Sequence, residues 1–148
     1  GSGYDQKIGM AGGSNIFSSE PAEYPEIDPE AVIERSPQVI IKIIGSGRYT
    51  FGGYEGGNET AFQQAYQDMA SRKGWETLEA VKENRIYLLH TDILGGPHHF
   101  IGTQYMAKWF YPDRFADLDP SALHNEYLSR YQGLQPTLTN GLVFVYPS

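Results

Sequence analysis

Two adjacent histidines, His98 and His99, are the first candidates for chemistry in this chain. They follow Gly-Gly-Pro, with an apolar run typical of a strand before them and an apolar run typical of a helix after them. An imidazole can bind a metal, form hydrogen bonds or change its charge near neutral pH. The free N–H groups of a helix N-terminus also favour an anionic ligand. The pair therefore predicts a ligand contact, a metal site or simply a helix start.

The spacing does not favour a zinc site built by this chain alone. Adjacent helical residues point about 100° apart, so His98 and His99 cannot easily chelate one ion. His90 and His124 are distant in sequence, HxxxH spacing is absent, and the chain has no cysteine. Two interpretations remain. Either one histidine packs while the other is solvated at a helix cap, or at least one contacts a ligand supplied from outside.

A glycine- and tyrosine-rich segment, GSGRYTFGGYEGG at residues 45–57, is the second candidate and is called the tyrosine loop below. Glycine lets the backbone approach a ligand closely, and Arg48, Tyr49 and Tyr54 could supply charge, ring surface and hydroxyl groups. The loop is not a P-loop, because GxxxxGK[ST] is missing. It could also be an ordinary mobile surface loop. No Ser-His-Asp set or acid–base carboxylate pair stands out.

Length, composition and charge limit the function classes. The 148 residues suffice for one domain with a real core. Hydrophobic residues make up 40% and charged residues 20%, an ordinary globular composition. A formal net charge of −7, with no basic stripe, argues against a nucleic-acid partner. No run approaches the roughly 18 apolar residues of a membrane span.

Strand-like and helix-like segments alternate along the chain. QVIIKII, RIYLLH and LVFVY predict strands, and capping residues predict helix starts at Asp28-Pro29, Asn58 and Asp119-Pro120. This order predicts an α/β three-layer sandwich with a mostly parallel central sheet. Such sheets bind ligands at the carboxyl ends of their strands, where the tyrosine loop and residues 91–97 begin. We expect both loops to share one edge of the sheet, left uncovered by the tail of the chain.

Four segments, taken in order, resemble the C-terminal lobe of the cobalamin/iron-siderophore class (class III) of ABC-transporter substrate-binding proteins. They are AGGSNIF, IDPEAVIERSPQVIIKI, GWETLEAVKENRIYLLHTDILGGP and YMAKWFYPDRF. The resemblance runs from about Ala11 to Gly133. It implies that residues 1–148 are one Rossmann-like lobe of a two-lobe binding protein, without the N-terminal lobe and most of the interlobe helix. Residues 134–148 form a C-terminal extension past the usual end of the class.

The resemblance also implies a function. Members hold a metal chelate, such as a ferric siderophore, haem or cobalamin, between two lobes outside the cytoplasmic membrane. They deliver it to a permease without chemistry or a cofactor, and some members bind molybdate or tungstate instead. Glu30 occupies the place of the glutamate that docks with permease arginines. His98 stands near the proline where the class often presents an arginine or polar residue to the ligand. The ligand contacts of this lobe would be Arg48, Tyr49, Tyr54, His98 and His99.

Two other functions remain open. The same architecture could serve an enzyme, such as a two-lobe chelatase-like metalloenzyme, with His99 as a base and turnover of a substrate. It could also serve a structural or partner-binding domain, in which neither glycine-rich loop would face a cleft. The absence of HxxxH spacing and of a nucleophile pattern favours the binding protein over the enzyme.

Overall fold

A computed structural model describes residues 3–21, 27–135 and 139–148 of the chain. In these ranges the α-helices are α1 Gly3–Met10, α2 Pro29–Arg35, α3 Glu59–Ala70, α4 Glu79–Lys82, α5 His99–Phe110 and α6 Pro120–Gln132. The strands are β1 Ile40–Ile44, β2 Ile86–His90 and β3 Val145–Tyr146. Single 3₁₀ turns cover Gly53–Glu55, Trp75–Thr77, Thr91–Ile93 and Gly96–His98. None of the described helices is long and apolar enough to cross a membrane.

The described strands form one small mixed sheet in the order β1-β2-β3. β1 and β2 are parallel, with Ile40 opposite Ile86 and Ile44 opposite His90. β3 runs antiparallel to β2, with Leu88 opposite Tyr146. The α/β class is confirmed, and the longer strand pair, β1–β2, is parallel; the last strand is shorter than predicted, and its antiparallel pairing makes the sheet mixed. The reason is topological: residues 139–148, the tail, enter the sheet at the carboxyl end of β2, with no crossover to carry them back.

Helices cover both faces of the sheet, so the predicted three layers are present. On one face, Ile44 packs with Phe62 of α3. On the other face, Leu89 packs with Ile101 and Trp109 of α5, and α1 lies beside them. Side chains alternate between the faces of a strand, so a strand covered on both sides must be apolar throughout. The runs IIKII in β1 and IYLLH in β2 largely meet that requirement.

The helix boundaries follow from local capping residues. The Asn58 side chain accepts a hydrogen bond from the N–H of Ala61 over 3.1 Å, which starts α3. The Asp119 side chain accepts from the N–H of Ala122 over 3.0 Å, which starts α6. Gly133, with φ +63°, ends α6 in the left-handed region that glycine adopts without strain. These predicted helix starts and the end of α6 are confirmed.

Candidate functional site

The two glycine-rich loops meet at the carboxyl end of β2. The backbone N–H of Tyr54 donates to Oδ2 of Asp92 over 2.9 Å. The N–H of Asp92 in turn donates to Nδ1 of His90 over 3.1 Å. Tyr54 belongs to the turn Gly53–Glu55, and Asp92 belongs to the turn that follows β2. We call the edge built by these two turns and the start of α5 the rim. The two loops therefore share one edge of the sheet, as expected.

Glycines make this close approach possible. Gly53 has φ +68°, and a Cβ atom there would collide with the Asp92 carboxylate and the His90 imidazole. A Cβ at Gly45 would lie 2.7 Å from Nε2 of His90. The sequence suggested that such glycines make room for a ligand. At these two positions they instead make room for side chains of the lobe itself.

A group of aromatic rings lies against Tyr54 at the rim. The centroid of the Tyr54 ring is 5.7 Å from that of His98, 5.5 Å from that of His124 and 4.9 Å from that of Phe144. The His98 ring also lies 5.1 Å from the ring of Tyr127. Ring pairs in such tilted and edge-on arrangements contribute about 0.5–1.5 kcal/mol each beyond their buried area. The turns Gly53–Glu55 and Gly96–His98, helix α6 and residues 139–148 thus each contribute rings to one aromatic surface.

The Tyr54 hydroxyl is hydrogen-bonded to Nε2 of His124 inside the lobe. Burial, and then the neighbouring His98, lower the pKa of His124 to about 4. Burial, and then the Asp92 charge, raise the pKa of Tyr54 to about 12. Both groups are therefore neutral at pH 7, so the phenol donates and the imidazole carries its own proton on Nδ1. Because the Tyr54 hydroxyl already forms this hydrogen bond, a ligand could contact only the exposed part of the Tyr54 ring.

His90 is a second buried, neutral imidazole. It is 6% exposed, and burial lowers its pKa although the Asp92 carboxylate acts in the opposite direction. Its Nδ1 accepts the Asp92 N–H, so its proton is on Nε2. The Asp92 carboxylate lies 3.3 Å from the same Nδ1, but an unprotonated nitrogen cannot form an ion pair with it. His90 therefore supports the Asp92 turn and does not serve as a charged group.

Arg48 and Tyr49 lie apart from this aromatic surface, on a tight turn after β1. Tyr49 packs on the α3 face of the sheet, with the Lys42 ammonium 4.6 Å from its ring centroid. Arg48 is exposed. Burial, and then the charges of Arg72 and Arg48, lower the pKa of Lys42. Among the described residues no ring contact or hydrogen bond joins Tyr49 to Tyr54, so the five predicted ligand residues form two groups.

His99 and Glu30 both lie at helix N-termini. Nδ1 of His99, the first residue of α5, lies 3.0 Å from the carbonyl oxygen of Gly96. Glu30 lies in the first turn of α2, and its backbone N–H donates to the Asp28 side chain over 2.9 Å. The His99 side chain is partly exposed, and Glu30 is fully at the surface. Each residue has a helix-start role and also keeps the accessibility that an external partner requires.

The described chain offers no metal site of its own at the rim. Nowhere in residues 3–21, 27–135 and 139–148 do three His, Asp or Glu side chains come together as ion ligands. The His98 and His124 rings lie 6.3 Å apart, but Nε2 of His124 already faces Tyr54. In this part of the molecule the rim presents rings and hydrogen-bonding groups.

The predicted extension borders the rim. Residues 136–138 lie outside the described part, and residues 139–148 are called the tail. The N–H of His90 donates to the Phe144 carbonyl over 2.8 Å, which continues the pairing of β2 with β3. The tail thus occupies one side of an edge that we expected to be uncovered. Tyr54, His98 and His99 nevertheless remain partly exposed beside it.

Four side chains of this arrangement escaped the sequence analysis: Asp92, His124, Tyr127 and Phe144. Asp92 could have been predicted from the sequence, because polar residues directly after parallel strands lie at the ligand-binding edge of the sheet. His124 and Tyr127 lie on α6, where helical spacing does not distinguish them from ordinary packing residues. Phe144 lies in LVFVY, whose apolar character indicates only a strand.

The family of the chain follows from its sequence match. The family model described as "Periplasmic binding protein" matches residues 2–93 of the 148, which is more than half of the chain. The chain belongs to the periplasmic binding protein family. The matched segment contains β1, the tyrosine loop, α3, β2 and Asp92. The predicted class is thereby confirmed, and the family is one of binding proteins.

Two relatives extend this result. The molybdate-binding protein MolA of Haemophilus influenzae is 23% identical over 130 residues, covering 82% of this chain and 31% of MolA. The crystal structure of the TroA-like periplasmic binding protein FepB from Veillonella parvula superposes with a TM-score of 0.82 at 25% identity. That superposition covers 97% of this chain and 41% of FepB. The chain therefore spans less than half the length of either relative.

Proposed function

We propose that this chain is the C-terminal lobe of an extracytoplasmic solute-binding protein that captures a metal chelate for an ABC importer. A second lobe would close over the rim and supply the other ligand contacts. The shares of the relatives that the chain covers, 31% of MolA and 41% of FepB, support this division into lobes. The protein would release its ligand unchanged to the permease.

The observation that carries this proposal is the convergence of both glycine-rich loops at one rim. A 2.9 Å hydrogen bond joins them, and the partly exposed rings of Tyr54 and His98 are in contact there. His99 extends this aromatic surface, whereas Arg48 and Tyr49 lie apart from it on the turn after β1, and their contact with the ligand stays a prediction. Rigid rings supply large contact areas at low entropic cost, as binding of a bulky chelate requires.

Two ligand classes fit this rim. Its ring surface favours a chelate of the ferric siderophore, haem or cobalamin type. A molybdate or tungstate oxyanion is the second candidate, favoured by the similarity to molybdate-binding MolA. The imidazole of His98 could donate to an oxyanion. His99 could do so when protonated, because the N–H on its Nδ1 already faces the Gly96 carbonyl.

A double substitution at the histidine pair tests the proposal. The full-length protein that carries this chain is titrated by calorimetry with ferric enterobactin, haemin, cyanocobalamin and sodium molybdate. We expect one of these ligands to bind, and His98→Ala with His99→Ala to weaken that binding about tenfold or more. The reason is the loss of two partly exposed rings at the rim, each able to contribute about 1 kcal/mol or more.

Gln63→Ala with Gln67→Ala, on the exposed face of α3, is the matched control and should leave the affinity unchanged. Equal affinities of the wild type and the histidine variant would remove the pair from the site. Native mass spectrometry of the released ligand separates capture from catalysis, because an enzyme would return an altered molecule.

Glu30 supplies a separate test, of delivery to the permease. In vesicles that contain the permease, Glu30→Gln should reduce ligand-stimulated ATP hydrolysis about fivefold, because an exposed carboxylate would no longer pair with a permease arginine. Ligand affinity should not change, since Glu30 lies on α2, away from the rim. Glu34→Gln, one turn along the same helix face, is the control. If the two variants stimulate hydrolysis equally, Glu30 has no docking role.

A further inference from the structure

The tail runs along the tyrosine loop, against its glycines. The N–H of Gly53 donates to the Val143 carbonyl over 2.8 Å. A Cβ at Gly57 would collide with the carbonyl oxygen of Gly141, and a Cβ at Gly52 would lie 2.9 Å from that of Val143. Three glycines of FGGYEGG thus lie directly against the tail or are hydrogen-bonded to it. This part of the loop is shaped to receive the tail backbone.

Phe144, the next residue of the tail, contacts the hydrogen-bonded pair formed by the Tyr54 hydroxyl and the His124 imidazole. It is 7% exposed, and its ring centroid lies 4.9 Å from that of Tyr54 and 4.8 Å from that of His124. Its carbonyl accepts the His90 N–H, which fixes its backbone beside β2. A single residue therefore touches both partners of the pair while the sheet holds its main chain in place.

The surroundings of the pair explain why this contact matters. A hydrogen bond between neutral groups is strong only where water does not compete for it. The polar groups near His124 include Tyr54 from the tyrosine loop, His98 from the turn Gly96–His98 and Asp92 from the turn after β2. His124 also lines a cavity together with Tyr105, Asp119, Ser121 and Thr139. Phe144 is a large apolar side chain in contact with both rings of the pair, and it lies beside His124 along the wall of this cavity of about 610 Å³.

We propose that the tail is a positioning element of the ligand site. The glycines of the tyrosine loop hold the tail in place, and Phe144 fixes the Tyr54 ring and keeps water away from the hydrogen bond between Tyr54 and His124. Ligand affinity then depends on a residue that lies behind the ligand-facing surface. The affinity part of this inference rests on the proposed function. The effect on His124 does not.

The first test compares Phe144→Leu with Met69→Leu in the full-length protein. Both replace a buried apolar side chain with leucine, and Met69 lies on the opposite face of the sheet, in a cluster with Trp75 and Ile86. The readout is NMR titration of the His124 imidazole. We expect Phe144→Leu to raise the pKa of His124 by about one unit or more, because water then reaches the ring. Met69→Leu should leave this pKa unchanged.

The same variants are titrated with ferric enterobactin and sodium molybdate. For the ligand that the wild type binds, Phe144→Leu should weaken binding about fivefold, because the Tyr54 ring loses its support. Met69→Leu should bind as the wild type does. This comparison separates a positioning role from a general loss of stability.

A second pair of variants acts on the docking of the tail without touching Tyr54 or His124. Gly57→Ala places a methyl group against the Gly141 carbonyl. Gly56→Ala is the matched control, because its methyl group would have no atom within 4 Å. Gly57→Ala should raise the pKa of His124 as Phe144→Leu does, and Gly56→Ala should not. Identical His124 titrations in the wild type, Phe144→Leu and Gly57→Ala would overturn the inference. If His124 shifts but the wild type binds no probe, the proposed function fails and the role of the tail stands.

Discussion

Gly53→Ala should lower the free energy of unfolding by about 3 kcal/mol and separate the two loops that form the rim. A left-handed conformation such as φ +68° costs a residue with a Cβ about 1–2 kcal/mol. The added methyl group would also collide with Asp92 and His90, and such overpacking typically costs about 1–3 kcal/mol. Urea denaturation, with the slope checked for two-state behaviour, measures the loss.

Gly47→Ala is the control that isolates the collision from the backbone strain. Gly47 belongs to the same loop and has φ +63°, but nothing lies within 4 Å of the position of its Cβ. Its substitution should cost about 1 kcal/mol. Equal stability of the two variants would contradict the close packing of Gly53 against Asp92 and His90.

Acid should destabilise the lobe between about pH 6.5 and pH 4 because of His124. A histidine in the unfolded chain titrates near pH 6.5, whereas burial lowers the pKa of His124 in the folded lobe to about 4. In this window the unfolded state binds more protons, so the stability falls as the pH falls. The largest loss that this difference allows is roughly 3 kcal/mol, and it is complete below about pH 4.

The measurement is the free energy of unfolding at pH 7, 5.5 and 4.5 for the wild type and for His124→Gln. Glutamine can still accept the Tyr54 hydrogen bond but does not titrate. The variant should therefore be less sensitive to acid, although His90 and the carboxylates still contribute. His99→Gln, at a partly exposed position, should keep the acid sensitivity of the wild type. Parallel curves for the wild type and His124→Gln would show that His124 is not held neutral.

Local patterns in the sequence were sufficient for most of the fold. The caps at Asn58 and Asp119 specify helix starts through hydrogen bonds between residues only three positions apart, so they can be predicted from neighbouring residues in the sequence. The runs IIKII and IYLLH specify buried strands because apolar residues alone satisfy two covered faces. The class resemblance added the expectation of a two-lobe binding protein.

The arrangement of the rim could not be derived in the same way. The bond from Tyr54 to Asp92 spans 38 residues, and the bond from Tyr54 to His124 spans 70. Such pairs depend on how layers pack, which spacing along the chain does not encode. The direction of β3 could not be predicted for a related reason: an apolar pentapeptide has the same composition in a parallel and in an antiparallel pair.

The hydrogen bond between Gly53 and Val143 joins residues separated by more than half of the chain. Bringing such distant segments together costs loop-closure entropy that only a nearly complete tertiary structure can offset. Because Phe144 packs against Tyr54, the rim is complete only when β3 is paired with β2.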